Sequence, residues 1–209
     1  MTTLATRRRF TVDEYHRMGR AGVFGPADRV ELLEGEIIQM SPIGKAHASA
    51  VARAGQLFYR LAGSRAIVWT QNPIRIDRHG EPQPDVALLR PREDFYAGGH
   101  PEPADILLII EVADTSQDYD RDQKLPAYAR AGIQETWLAL LGDGALEVHR
   151  DPGPDGYRSV KRFARGETIR PLAVSDTLFS GGAPLEIKRV EPLALPDCAV
   201  RVEDLLGPA

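Results

Sequence analysis

The segment Ile106-Leu-Leu-Ile-Ile-Glu-Val112 constrains the fold more than any other stretch of the chain. It is continuously apolar until Glu111, the pattern of a central strand covered on both faces rather than of a strand with one wet side. A carboxylate at the end of such a strand is costly unless it meets a partner. One partner would be an arginine such as Arg75 in a structural ion pair; the other reading is a functional site.

The flanking sequence supplies the layers such a strand needs. Thr11, followed three residues later by Glu14, is a capping box that opens a short helix through Met18, ended by Gly22, Gly25 and Pro26. Arg29 to Met40 contains two short apolar runs around Glu34-Gly35-Glu36 and predicts a hairpin with Gly35 at its turn. From Lys45 to Ala62, Val51, Ala54, Leu57, Phe58 and Leu61 recur at helical spacing, with Gly63 placed to end the helix. Strands are expected at Ala66–Thr70, Ile74–Ile76 and, after the polar turn His79–Pro84, at Asp85–Leu89. Arg90 to Asp105 reads as a surface loop.

Beyond the central strand, Asp114 to Arg121 is polar and leads into a helix around Lys124 to Arg130, ended by Gly132. Glu135–Leu141 and Ala145–His149 form strands about the Gly142-Asp-Gly144 turn. Shorter strands follow at Tyr157–Val160, near Thr168-Ile169 and at Leu185–Ile187, and Val202–Leu206 forms a terminal turn. This order predicts an α/β protein, a mixed sheet flanked by helices with added N-terminal and C-terminal hairpins.

Composition narrows the class. With 209 residues, 43% hydrophobic and 27% charged, the chain suits one domain, expected at residues 8–206 with its core at about 45–141. No apolar run approaches the ~18 residues of a membrane span, and Arg7 to Arg9 lead into no apolar stretch, so the expectation is a cytoplasmic protein without membrane contact. The single cysteine, Cys198, excludes an internal disulfide and a multi-cysteine zinc site and reads as a small buried hydrophobe. A net charge of -4 gives no global attraction to phosphate, so nucleic-acid binding would depend on a local basic surface or on bound cations. Arg7 to Arg9 and Lys161-Arg162 read as solvated charge.

Asp85 opens one strand and Glu111 closes another, so if those strands are neighbours the two carboxylates meet at one edge of the sheet. Magnesium takes oxygen ligands, typically one or two carboxylates, a carbonyl and waters, and the Val112 carbonyl is the candidate third protein ligand. A metal there would polarise a phosphoryl oxygen and acidify a water, the two requirements of phosphodiester hydrolysis. The bland alternative for Asp85 is a turn carboxylate capping its own loop.

Pro84-Asp85 and Glu111 resemble the mark of the PD-(D/E)XK restriction-endonuclease-like superfamily, Pro-Asp on one strand and an acidic residue with a nearby lysine on the next. Over most of its length the chain is more closely similar to the Uma-two family of that superfamily. The matching stretches are Glu31-Leu-Leu-Glu-Gly-Glu-Ile37, His47 at the start of the long helix, Pro84-Asp85-Val86, Ile110-Glu111-Val112, Tyr119-Asp-Arg-Asp-Gln-Lys124, Tyr128-Ala-Arg-Ala-Gly-Ile133 and Trp137-Leu138. The resemblance implies Mg2+ or Mn2+ as cofactor and DNA as substrate. It also implies that an acid from the first hairpin or His47 lines the site, Glu31 being preferred to Glu34, whose place beside Gly35 suits a solvated turn.

One departure is informative. The lysine expected two residues after the acid is replaced by Ala113, and Lys124, thirteen residues on, is the substitute. Pro126 is tolerated only in a first helical turn or at a kink, so the helix is expected to begin close to Lys124, and the reach of its ammonium depends on where. Tyr128 and Trp137 read as core, with Tyr128 also able to line the site. The expectation is a magnesium-dependent endodeoxyribonuclease with Asp85, Glu111, Lys124 and Glu31 as its working residues, and a twofold homodimer as default assembly. A nuclease-fold module that binds nucleic acid or protein without turnover is the rival, and a hydrolase of another phosphate ester is a third class.

Overall fold

In the computed structural model, which describes residues 7–172 and 199–207, the chain opens with the capping box. Thr11 Oγ1 accepts from the Glu14 N–H, the Glu14 carboxylate accepts from the Thr11 N–H, and helix α1 (Val12–Arg20) follows. Strands β1 (Val30–Leu33) and β2 (Glu36–Gln39) pair antiparallel with Leu33 opposite Glu36. Glu34 and Gly35 between them both have left-handed φ, 51° and 80°, the pattern of a type I′ hairpin turn. Gly35 lies so close to the N-terminal segment that an added Cβ would stand 2.6 Å from Arg9 Cβ.

A six-stranded sheet forms the centre, in the order β3-β4-β5-β6-β7-β8. Its strands are β3 (Ile67–Thr70), β4 (Val86–Leu89), β5 (Ile106–Ala113), β6 (Glu135–Leu140), β7 (Ala145–Gly153) and β8 (Gly156–Ala164). All eight residues of β5 are buried, and β5 pairs on both sides, as its apolar sequence requires. Alternate residues feed two layers. Val86, Leu88, Ile110 and Val112 pack towards Phe58 and Val51 of helix α2 (Lys45–Ala62), which Gly63 ends at a φ of 55°. Ala87, Leu89 and Ile109 pack towards Ala127, Tyr128 and Ile133 on the opposite face.

Only β5 and β6 are parallel among the neighbouring pairs of this sheet, so the chain must cross over between them. The crossover is α3 (Gln117–Tyr119), a π-helical turn (Asp120–Lys124) and α4 (Leu125–Arg130). The helix therefore starts well before Lys124, contrary to the sequence expectation. Pro126 has no N–H to give and its ring crowds the carbonyl four residues back; the wide turn, closed by the Leu125 N–H on the Asp120 carbonyl, accommodates it without a break.

Two further expectations change. Ile74–Ile76 is not a strand of the sheet: this stretch, crowded by Pro73, Pro82 and Pro84, folds back on itself through Ile74 N–H on Pro82 O and Ile76 N–H on Gly80 O. The β7–β8 hairpin is no appendage but extends the main sheet. A small pair, β9 (Thr168–Ile169) with β10 (Val200–Arg201), precedes the short helix α5 (Val202–Leu206). The expected strand at Leu185–Ile187 and Cys198 lie outside the described residues. No helix among the described residues is long and apolar enough to cross a membrane. Arg7, Arg8 and Arg162 pair at the surface with Glu36, Glu14 and Asp143.

Candidate functional site

Antiparallel pairing of β4 with β5 sets Val86 opposite Ile110, which brings the preceding Asp85 opposite Glu111. Both then belong to the sheet face covered by the crossover, since they alternate with Val86 and Ile110. The Asp85 N–H donates to Glu111 Oε2 at 3.3 Å, and Asp85 Oδ2 accepts from the Val112 N–H at 2.9 Å. Asp85 Oδ1 meets His47 Nε2 at 2.8 Å and accepts from Gln71 Nε2 at 3.3 Å. The carboxylate is thus fixed by two strands and two flanking segments, not by its own turn. In an extended strand the N–H and C=O of one residue point to the same side, so the Val112 carbonyl faces the Asp85 side as well.

Glu111 is 2% exposed and takes two donors on Oε1: Tyr128 Oη at 2.6 Å and Lys124 Nζ at 2.8 Å. Its partner is therefore a lysine of the crossover and not Arg75. Lys124, 5% exposed, also stands 3.6 Å from Glu31 Oε2 and donates to the Gln83 carbonyl at 3.4 Å. The strand position where a lysine was expected, Ala113, is sealed by Leu125, Leu138 and Leu140, and the neighbour of Leu125 on the crossover delivers the ammonium instead.

Glu31 is buried in β1, where Tyr119 Oη donates to its Oε1 at 3.2 Å and the Gln83 N–H to its Oε2 at 2.9 Å. Glu34 does not line the site. Three residues further round the hairpin, it reaches the surface and pairs with Arg130 at 2.6 Å, because its left-handed turn conformation carries the side chain outward. Tyr128 is buried behind Glu111 and touches the site through its hydroxyl alone.

The structure also adds residues that the sequence reading passed over. Asp120 is buried, accepts from Ser116 Oγ at 2.6 Å and lines the cleft. Its spacing of four from Lys124 on one helical segment was the available signal. Gln71, left-handed at a φ of 51° although not glycine, sits at the cleft and anchors Asp85 through side chain and main chain alike. Tyr119 and Arg29 also line the cleft, which encloses about 450 Å³.

Acid outweighs base in this cleft: Glu31, Asp85, Glu111, Asp114 and Asp120 face Arg29, Lys124 and His47. Burial, with the charges of Asp85 and Asp120 adding to it, pushes the Glu111 carboxyl up to about 8 although Lys124 pulls the other way. Asp120 is likewise raised, by burial. Burial would lower Lys124, but the Glu111 and Glu31 charges overcome it and hold the ammonium well above the ordinary lysine range. The hydrogen bond to Asp85 raises His47. A cleft with a surplus of carboxylates is suited to a divalent cation, which the oxygens of Asp85, Glu111 and the Val112 carbonyl could hold.

The chain is similar in fold to a crystal structure described as "a putative nuclease belonging to DUF820 from Anabaena variabilis ATCC 29413". The TM-score is 0.61 at 16% identity, covering 94% of this chain and 97% of that one. No curated protein matches. The Uma2 family model, described as "Putative restriction endonuclease", matches residues 12–180, and the chain belongs to this family.

Proposed function

We propose that this protein is a metal-dependent endonuclease that hydrolyses DNA phosphodiester bonds, with Mg2+ or Mn2+ held by Asp85, Glu111 and the Val112 carbonyl. The observation that carries the proposal is Lys124. A lysine withdrawn from water and aimed at Glu111 from 2.8 Å, eleven residues downstream of the usual strand position, restores the acid and cation pairing on which this chemistry relies. The all-oxygen donor set and the surplus of carboxylates fit a hard divalent cation.

When bound, the cation would supply Lewis acidity at a phosphoryl oxygen and a water acidic enough to attack. Lys124 stays protonated, so it serves as a fixed positive charge towards the phosphate and not as the base. Glu31 and the Gln83 carbonyl hold that ammonium in place. His47 and Gln71 orient Asp85, and Tyr128 orients Glu111. Cutting both strands calls for two such sites, for which a twofold homodimer is the arrangement we favour.

The test is Mg2+- or Mn2+-dependent cleavage of supercoiled, linear and single-stranded DNA, beside Asp85→Asn, Glu111→Gln and Lys124→Met. The expected loss is at least about 10²–10³-fold in each variant. Cleavage undiminished in the variants would sink the proposal. A wild-type chain that neither cleaves nor binds Mg2+ by calorimetry would favour a binding module in its place.

A further inference from the structure

Away from the cleft, three metal-ligating side chains converge from distant parts of the sequence. His16 on α1, Glu81 on the fold-back before β4, and His100 in the loop before β5 each bring one ligand atom within 4.8 Å of the others. The two imidazoles stand 6.1 Å apart at 80°, so they do not stack. His16 Nε2 meets Glu81 Oε1 at 2.6 Å.

Glu81 shows that the cluster is incomplete as a set of hydrogen bonds. It is 3% exposed, and its Oε2 has no hydrogen-bond partner. Glu135 offers the contrast: equally buried, it accepts from Trp137 Nε1, from two nitrogens of Arg150 and from the Leu172 N–H, the saturation expected of a structural acid. A buried carboxylate oxygen left unsatisfied forfeits its hydration with nothing in return. Such a group beside two imidazoles calls for a positive ligand.

We propose that His16, Glu81 and His100 form a second metal site, for a transition metal of the Zn2+ class. Two imidazole nitrogens and one carboxylate oxygen are a donor set that Zn2+ accepts and Mg2+ does not favour, which separates this site from the oxygen ligands proposed in the cleft, Asp85, Glu111 and the Val112 carbonyl. His100 is exposed and His16 half-exposed, so solvent can supply a fourth ligand. The role is to hold three segments together. The Glu81 N–H bonds the Leu32 carbonyl, the Arg75 N–H bonds the Pro101 carbonyl, and Asp85 follows Glu81 after only Pro82, Gln83 and Pro84. A metal here would fasten α1 and the loop before β5 to the segment that delivers Asp85. Metal binding here does not depend on the cleft cleaving DNA.

The full chain, stripped of metal, would be titrated with Zn2+ by calorimetry in the presence of excess Mg2+. We expect one zinc equivalent that persists in the Asp85→Asn, Glu111→Gln double variant and raises the unfolding temperature. His100→Ala and His100→Gln, both at an exposed position, are expected to weaken zinc binding by at least about 100-fold, since loss of an outer partner alone costs about 10–100-fold. X-ray absorption at the zinc edge of the loaded double variant should report nitrogen and oxygen neighbours in the first shell. Zinc bound equally well by the His100 variants, or lost from the double variant, would overturn the assignment, as would no zinc binding at all.

Discussion

Lys124→Met keeps most of the side-chain stem and removes the charge, so it isolates what the ammonium does for the buried acids around it. Nζ stands 2.8 Å from Glu111 and 3.6 Å from Glu31, and leaving buried oxygens without the donor that serves them costs about 1–3 kcal/mol. Glu111 sets the pH dependence. Its carboxyl titrates at about 8 in the fold against an ordinary 4.5, so between those values the folded state keeps a proton that the unfolded chain has released. The stability tied to this group is fully present below pH 4.5 and is lost as pH rises through about 8, at about 1.4 kcal/mol for each pH unit. Without Lys124, which pulls Glu111 down, the folded value climbs further and the losing window extends upward. The variant's deficit relative to wild type is therefore flat below pH 8 and widens above it, and a divalent cation narrows it by restoring positive charge. Urea unfolding followed by circular dichroism on either side of pH 8, with and without Mg2+, measures all three effects. A loss under about 1 kcal/mol, or a deficit that shrinks as pH rises, would refute the reasoning.

Mg2+ affinity should rise with pH towards about 8 and then level, because the cation displaces the Glu111 proton; calorimetry in buffers of different ionisation enthalpy should find about one proton released per metal below that pH, and none would contradict it. Gly35→Ala combines a positive φ with a Cβ 2.6 Å from Arg9 Cβ, and about 2–3 kcal/mol of stability, roughly 5–10 °C in Tm, should be lost by thermal melting. Glu34→Ala removes only the surface pair with Arg130; a change below about 1 kcal/mol and undiminished DNA cleavage are expected, and a strong activity loss would return Glu34 to the site.

Much of this architecture was legible because its signals are local or periodic. The capping box at Thr11, the apolar stripe of Lys45–Ala62 and the unbroken run into Glu111 each state their own structure. The meeting of Asp85 with Glu111 was legible only conditionally, since strand adjacency is a property of the whole sheet. Ile74–Ile76 misled because β-branched residues suit any extended backbone, and the prolines around them, which deny the ladder its donors, weigh more than propensity. Lys124 could be singled out from sequence but the reach of its ammonium could not, because the π-helical turn that carries it answers to Pro126 and to tertiary packing. Asp120 and Gln71 escaped notice for a different reason: an acid in a polar stretch and a glutamine at a strand end look ordinary until burial and a left-handed φ single them out.

The π-helical turn at Asp120–Lys124 makes chain length in the crossover as telling as residue identity. Each helical residue turns the chain by about 100°, and a wide turn corresponds to an α-helix with one residue inserted. Deleting a single residue there would let ordinary helical bonds close and would rotate Tyr119 and Asp120 away from Glu31 and the cleft while leaving Leu125–Arg130 seated on the sheet. The crossover should therefore tolerate many substitutions but no change of length between Tyr119 and Leu125, so that gaps, more than mismatches, mark relatives that have abandoned this way of presenting the lysine.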